Sequence, residues 1–370
     1  MSHRMPSWAA AHRANACTKR RLKTLFYGVT HEHACGKFET LKRLSDDFEV
    51  VALVDDRPRG TPRHLNERLD VERAVRDGFR VVSEAEAEAL LDDGGIDVAF
   101  VETANADLME VAAKLVARGV PLHCDKPCGE APEPYRSLVE TCRAANLPFQ
   151  IGYMYRGNPA VQFAWQFVAD GGLGDVAFVE ADMNHDYGEP NYPDYIASFR
   201  GGILYNLGCH LVDMVLTLVR GELREAHPFL GDAPGDPLGC RTAGAAFLRF
   251  AGTDVLLRTS SRMPGGILCR RLRVDGTNGT LDLCPIERFD GEELTLTLTL
   301  KDAAGGFAAG RHEIGFGVQA DRYAPLLKEL AAIVRGERSN DQDYARDLRV
   351  HELTLQACGL GVSESHRGRK

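Results

Sequence analysis

A chain of 370 residues, 44% hydrophobic and 26% charged, has material for roughly two globular domains of ordinary size. Its net charge of -9 argues against a nucleic-acid or anionic-membrane surface, and no apolar run reaches the ~20 residues that span a bilayer. The ten cysteines form no CxxC pair and no regular framework, which fits a reduced cytosolic protein better than a disulfide scaffold.

Met1 to Lys23 is basic, free of acid and without a continuous apolar core, so it makes a poor secretory signal. Residues 1–22 read as an extension before the first strand, with a targeting segment as the other reading. Lys23 to Val29 is a short apolar strand, Gly36 to Ser45 a helix, and Glu49 to Asp55 a second strand ending on an acid. Together they form one βαβ unit. Asp55 stands 19 residues past Gly36, the distance expected of an acid that holds an adenosine ribose. Asp56 beside it favours NAD, while Arg57 keeps a 2′-phosphate, and so NADP, open.

The turn from Gly28 to Gly36 departs from GxGxxG. Thr30 takes the second glycine's place and His33 the third. The Thr30 hydroxyl can still donate toward a pyrophosphate. His31 and His33 line the cofactor on this reading. With Cys35 they also begin a metal set, but one short of a full set of ligands and their supporting partners, so no metal is expected.

Val71 to Gly78 and Glu84 to Asp93 read as helices, and Ile96 to Val101 as a strand followed by the loop Glu102-Thr103-Ala104-Asn105. The helix Leu108 to Arg118 is stopped by Gly119. Val120 to Cys124 then delivers Asp125-Lys126-Pro127 to the carboxyl edge of the sheet, where open α/β sheets bind ligands. Ala131 to Ala145 is helical, Phe149 to Tyr153 a strand, and Pro159 to Asp170 a helix. Beyond it the period changes. Val176 to Met183, Ala245 to Phe250, Asp254 to Ser260, Leu268 to Val274 and Leu294 to Leu300 are strands without interspersed helices, hence an antiparallel layer. Thr277-Asn278-Gly279-Thr280 marks a hairpin, and Gln319 to Arg335 and Tyr344 to Gly359 close the chain as helices.

Two stretches inside this second half bear on chemistry. His185 to Tyr195 is polar and aromatic. Tyr187 and Tyr195 suit a sugar or polyol, with an ordinary surface loop as the equal alternative. Gly201 to Asp213 reads as a glycine turn feeding one helix, with Asn206 and His210 four apart on a shared face. Leu207, Leu211, Met214, Val215 and Leu218 back it with an apolar face. The plain alternative is a hydrogen-bonded structural histidine.

The runs Asp97 to Asn105, Gly119 to Pro127, Tyr153 to Pro159 and Phe199 to Asp213, in that order, resemble the Gfo/Idh/MocA oxidoreductases over roughly Lys23 to Gly361. The resemblance implies an α/β plus α+β chain. Residues 23–152 would form a Rossmann, doubly wound parallel sheet. Residues 153–340 would form an open antiparallel sheet for substrate and oligomer contacts, with 341–370 as a helix and tail packing back on the core. It implies NAD, with NADP possible, and hydride transfer between nicotinamide and a secondary alcohol or carbonyl of a sugar, polyol or related hydroxy compound. Lys126 would polarise the reacting oxygen and His210, which titrates near neutrality, would move its proton, with Asn206 as third member.

Cofactor contacts fall on Gly28, Thr30, His31, His33, Asp55, Asp56, Arg57, Thr103, Asn105, Asp125, Lys126 and Arg156. Substrate contacts fall on Lys126, Tyr153, Tyr187, Tyr195, Arg200, Asn206 and His210. The chain departs from the family where Asp125 replaces the usual Glu of Glu-Lys-Pro. It departs again where Asn206 replaces an aspartate, since an amide cannot titrate. An NAD-dependent glycoside hydrolase and a non-catalytic NAD-binding regulator remain as alternatives. The expected setting is cytoplasmic, with no nucleic-acid or membrane partner, as a homodimer or homotetramer assembled through the second sheet.

Overall fold

The computed structural model describes residues 19–59, 69–186, 188 and 191–361. Most of the basic N-terminal extension, Tyr187 and the tail beyond Gly361 lie outside the described residues. In the first half β1 (Leu22–Tyr27), α1 (Ala34–Arg43), β2 (Phe48–Val54), α2 (Val71–Arg76), β3 (Val81–Val82) and α3 (Glu84–Asp92) follow one another. They are continued by β4 (Val98–Val101), α4 (Leu108–Ala117), β5 (Leu122–Cys124), α5 (Pro132–Ala145) and β6 (Phe149–Ile151). The six strands pair in the order β3-β2-β1-β4-β5-β6, all parallel. This is the doubly wound Rossmann arrangement, whose order reverses between β1 and β4 and opens a crevice at their carboxyl ends. Every residue of β4 and β5 is buried, as it must be when helices cover both faces. Helix starts follow local chemistry: Ser83 and Glu86 make a reciprocal capping box on α3.

The second half contains α6 (Pro159–Ala169), β7 (Val176–Asn184), α7 (Tyr192–Ala197), α8 (Gly202–Asn206), α9 (Gly208–Leu216), β8 (Leu223–Gly231), β9 (Ala243–Phe250) and β10 (Asp254–Ser260). It continues through β11 (Arg271–Gly276), β12 (Gly279–Leu283), β13 (Glu293–Leu300), β14 (Gly310–Val318), α10 (Ala324–Val334) and α11 (Tyr344–Ala357). Its eight strands pair as β14-β13-β12-β11-β7-β10-β9-β8. In β13 the leucines point inward and the threonines outward, the signature of a sheet packed on one face. Helices α6 and α9 cover that face, and α11 packs across α5 and α9, tying the halves together.

Two expectations need correction. The sheet is not purely antiparallel: β7 and β10 run parallel, Phe178 opposite Asp254 through Asn184 opposite Ser260. The long crossover through α7 to α9 and the β8–β9 hairpin allows that parallel return. The strand expected over Leu268 to Val274 begins only at Arg271, because Gly266–Cys269 forms a tight turn. Among the described residues no helix is long and apolar enough to cross a membrane.

Candidate active site

The carboxyl edge of the parallel sheet is built around a glycine that cannot be replaced without a clash. Gly28 has φ +101°, and an added Cβ would lie 2.5 Å from the Thr103 nitrogen. Behind it, Asp56 accepts the Val29 N–H at 2.8 Å and the Thr30 hydroxyl in a short bond. Thr30 and Asp56, expected to face cofactor, are thus paired with each other and lock the turn. Asp55 follows β2 directly and lines a 580 Å³ cleft that also reaches Arg59, Val82 and Ser83. Arg57 folds onto the Asp55 carboxylate through Nε at 2.8 Å and Nη2 at 2.6 Å.

Further along the edge, buried charged groups are packed together. Asp125, wholly buried, accepts from Lys37 Nζ at 2.7 Å, His33 Nδ1 at 3.0 Å and the Lys126 N–H at 2.7 Å. Gly152 permits this approach, since a Cβ there would sit 2.7 Å from Asp125 Oδ1. His31 donates from Nε2 to the Lys126 carbonyl at 3.0 Å, and its Nδ1 is 3.2 Å from Asp125. Burial works against a charge on His31, but Asp125 and then Glu102 raise its proton affinity above the usual histidine value. Burial dominates at His33, whose value falls to about 4. Burial, opposed by Lys37 and helped by Asp125, lifts Glu102 to about 8. Asp125 itself is held well below the carboxylate range: burial pushes it up, and His31 and Lys37 more than offset that.

His31, His33 and Asp125 are the one group of three among the described residues with a metal-ligand geometry. The Lys37 ammonium on the same Asp125 oxygen supplies the cation there.

Lys126 leaves this edge toward the second half of the chain. Its ammonium, 0% exposed, donates to Glu32 Oε1 at 2.6 Å, to the Asn206 carbonyl at 3.2 Å and to Asn206 Oδ1 at 3.4 Å. The carbonyl is available because the expected single helix is two. It breaks at Leu207, where α8 ends and α9 begins, and His210 N–H turns to the Leu207 carbonyl at 3.2 Å. Asn206 therefore closes α8, and His210 sits in the first turn of α9 rather than one turn along a common face. His210 is 1% exposed, and neither ring nitrogen has a hydrogen-bond partner. Its ring meets the Tyr155 ring edge-on at 5.2 Å, Tyr153 at 6.0 Å and His33 at 6.4 Å. Burial first, then Lys126 and His33, push its proton affinity well below the histidine norm, so it is neutral.

The remaining expected site residues divide. Tyr195 donates to Asn105 Oδ1 at 2.7 Å, beside a 430 Å³ pocket that both line. Thr103 is buried with an unpartnered hydroxyl next to the glycine turn. Arg156 is corrected: it is committed to Asp213 and Asp347, each at 2.7 Å, in a network that also takes Arg346. Arg200 is corrected as well, being largely exposed and donating to the Glu130 carbonyl. Glu32, Lys37 and Glu102 join the site without a signal of their own in the sequence, although Glu32 sits between His31 and His33. So does Tyr155, whose hydroxyl is held by Glu287 at 2.8 Å and Arg270 at 2.9 Å.

Comparison with known proteins agrees with this fold. The model of an oxidoreductase family with an NAD-binding Rossmann fold matches residues 32–153, and the GFO/IDH/MocA C-terminal domain matches residues 161–282. The chain is 25% identical over 256 residues to levoglucosan dehydrogenase of Pseudarthrobacter phenanthrenivorans, covering 68% of this chain and 58% of that one. It is 26% identical over 190 residues to D-apiose dehydrogenase of Paraburkholderia graminis, covering 51% and 46%. The chain thus spans about half the length of these curated relatives. Its fold matches a levoglucosan dehydrogenase solved with NADH and levoglucosan, with TM-score 0.72 and 16% identity over 91% of this chain and 97% of that one. It matches equally an Agrobacterium radiobacter oxidoreductase solved with NAD+, L-tartaric acid and magnesium, with TM-score 0.72 and 17% identity over 92% and 97%. With both halves matched in the order that brings Lys126 against Asn206, the chain belongs to the Gfo/Idh/MocA oxidoreductase family.

Proposed function

We propose that this chain is an NAD-dependent oxidoreductase that moves a hydride between nicotinamide and a secondary alcohol or carbonyl carbon of a sugar or polyol. The observation that carries the reading is the meeting of Lys126, from the end of β5, with Asn206 and His210 from the α8–α9 break. NAD+, when bound, supplies the hydride acceptor. The residues present fit it. Asp55 borders a 580 Å³ cleft that suits an adenosine, and the orphaned Thr103 hydroxyl faces the turn where a phosphate or ribose oxygen would complete it. Asp55 as the ribose acid favours NAD over NADP. Lys126 polarises the reacting oxygen, and His210, held neutral by burial, accepts the hydroxyl proton. Asn206 orients both without adding charge.

The relatives' names direct the substrate panel toward anhydrosugars and aldoses. Purified protein is titrated with NAD+ and NADP+ and then assayed for reduced cofactor on levoglucosan, apiose, xylose and inositols. Cofactor binding with turnover on at least one supports the reading. Cofactor binding without turnover on any overturns it in favour of a regulatory protein, and free sugar released from glycosides without net NADH favours a hydrolase. The reading extends to self-association through the open face of the second sheet, tested by light scattering. It also extends to a cytosolic setting, which cysteines scattered without CxxC spacing support.

A further inference from the structure

The Lys126 ammonium is wholly buried and has three N–H bonds to satisfy from the groups around it. Two go to neutral oxygens of Asn206, and one goes to a carboxylate, Glu32 at 2.6 Å. Glu32 is itself only 3% exposed. Its second oxygen faces Asn206 Nδ2 at 3.5 Å, and its first lies 3.9 Å from His33 Nε2. Asp125, the other acid nearby, is already shared by Lys37 and His33. A buried ammonium facing only neutral groups sheds its proton. Of the groups packed around Lys126, the turn supplies Glu32 and His33, the strand end Asp125, α8 Asn206, and α9 Cys209 and His210.

We propose that Glu32 is the positioning carboxylate of this site, holding Lys126 charged and aimed at Asn206 from the glycine turn, where the helix itself offers only an amide. The inference rests on the hydride-transfer reading for its catalytic consequence, but the Glu32–Lys126 coupling stands apart from it. Because Asn206 Oδ1 is 3.4 Å from the ammonium, an acid at 206 reaches the same charge. The site therefore tolerates its carboxylate in either place.

Three proteins test this: wild type, Glu32→Gln, and Glu32→Gln with Asn206→Asp. The Lys126 titration is followed by NMR in 13C-lysine-labelled protein without cofactor, assigned with Lys126→Met, and the pH profile of kcat/KM is measured alongside. In Glu32→Gln both the titration and the alkaline limb move down by about one pH unit or more, and alkaline turnover falls about tenfold. In the double variant both return toward wild type.

An unchanged titration in Glu32→Gln, or a loss that Asn206→Asp does not rescue, overturns the proposal. If Glu32→Gln does not fold, the double variant decides alone: a high Lys126 titration supports the proposal and a low one overturns it. If wild type turns over nothing on the panel, the hydride-transfer reading fails, while the NMR titration still decides the role of Glu32.

Discussion

The two sides of the Lys126–His210 cluster differ in how their polar groups are satisfied. On the parallel-sheet side Asp125 takes three donors, Thr30 and Asp56 hold each other, and His31 is bonded to the Lys126 carbonyl. On the other side both His210 nitrogens, both polar atoms of the Asn184 amide and the Tyr205 hydroxyl are buried without a partner. A buried orphan costs about 1–3 kcal/mol, so such groups persist where a ligand completes them. The first side, apart from the Thr103 hydroxyl and one Glu102 oxygen, satisfies the groups that fix its cation. The second keeps its hydrogen-bonding capacity for something else.

That contrast is broken hardest at the two residues where the sides meet. Lys126→Met takes from the buried Glu32 the ammonium it holds at 2.6 Å. Turnover should fall about 10³-fold and stability by about 3–5 kcal/mol, read by steady-state kinetics and denaturant titration. His210→Gln should cost turnover about 10²–10⁴-fold with little change in denaturation midpoint, because no hydrogen bond is lost. Equal stability losses in the two variants would erase the distinction between scaffold and reagent.

The same asymmetry governs what was legible in the sequence. Gly28, Asp55 and the strand that presents Lys126 stood out because apolar runs ending in turns are local signals. The break at Leu207 did not. Leu207 and Gly208 continue the helical period, and the carbonyl that the break frees is claimed by Lys126, 80 residues away in sequence. The polar partners of Asp125 were equally hidden, since Lys37 looks like any helix-surface lysine until Gly152 lets the two close together. In the second sheet five of the six inner strands were readable, while β12 showed only through the hairpin signal at its start. The two edge strands were not: β8 carries Pro228 and β14 carries Gly315 and Gly317, as edges that resist further pairing do. Tertiary packing, not local pattern, set each of these.

A smaller effect sharpens the cofactor side. Arg57 spends its guanidinium on Asp55 and reaches Glu72 at 3.1 Å. On the proposed function Asp55 holds the cofactor ribose, so Asp55→Ser removes that contact and leaves Arg57, still bonded to Glu72, able to turn toward a 2′-phosphate. NAD+ affinity should drop roughly tenfold while NADP+ affinity rises, as fluorescence titration would show. If NADP+ binding does not improve, Arg57 belongs to the surface network with Glu72 and not to the cofactor cleft.

The smallest effect probes whether the scaffold side is as self-sufficient as it looks. Glu102 has one oxygen on Lys37 at 2.7 Å and the other without a hydrogen-bond partner, and burial lifts it to about 8 from an ordinary value of 4.5. The folded state therefore holds a proton there that the unfolded state has released, so this group's contribution is complete below 4.5 and is lost as pH rises through about 8. The buried histidines act in the opposite sense, His33 at about 4 and His123 at about 3 favouring the folded state as pH rises to the ordinary histidine value. Their effect is common to wild type and Glu102→Gln and cancels in the difference between them. The two proteins should melt together near pH 4.5, and the variant should gain roughly 5 °C over wild type at alkaline pH. A constant difference across the range would mean that Lys37 keeps Glu102 ionised throughout. The scaffold would then owe its stability to a third buried ion pair alongside Lys37–Asp125 and Lys126–Glu32.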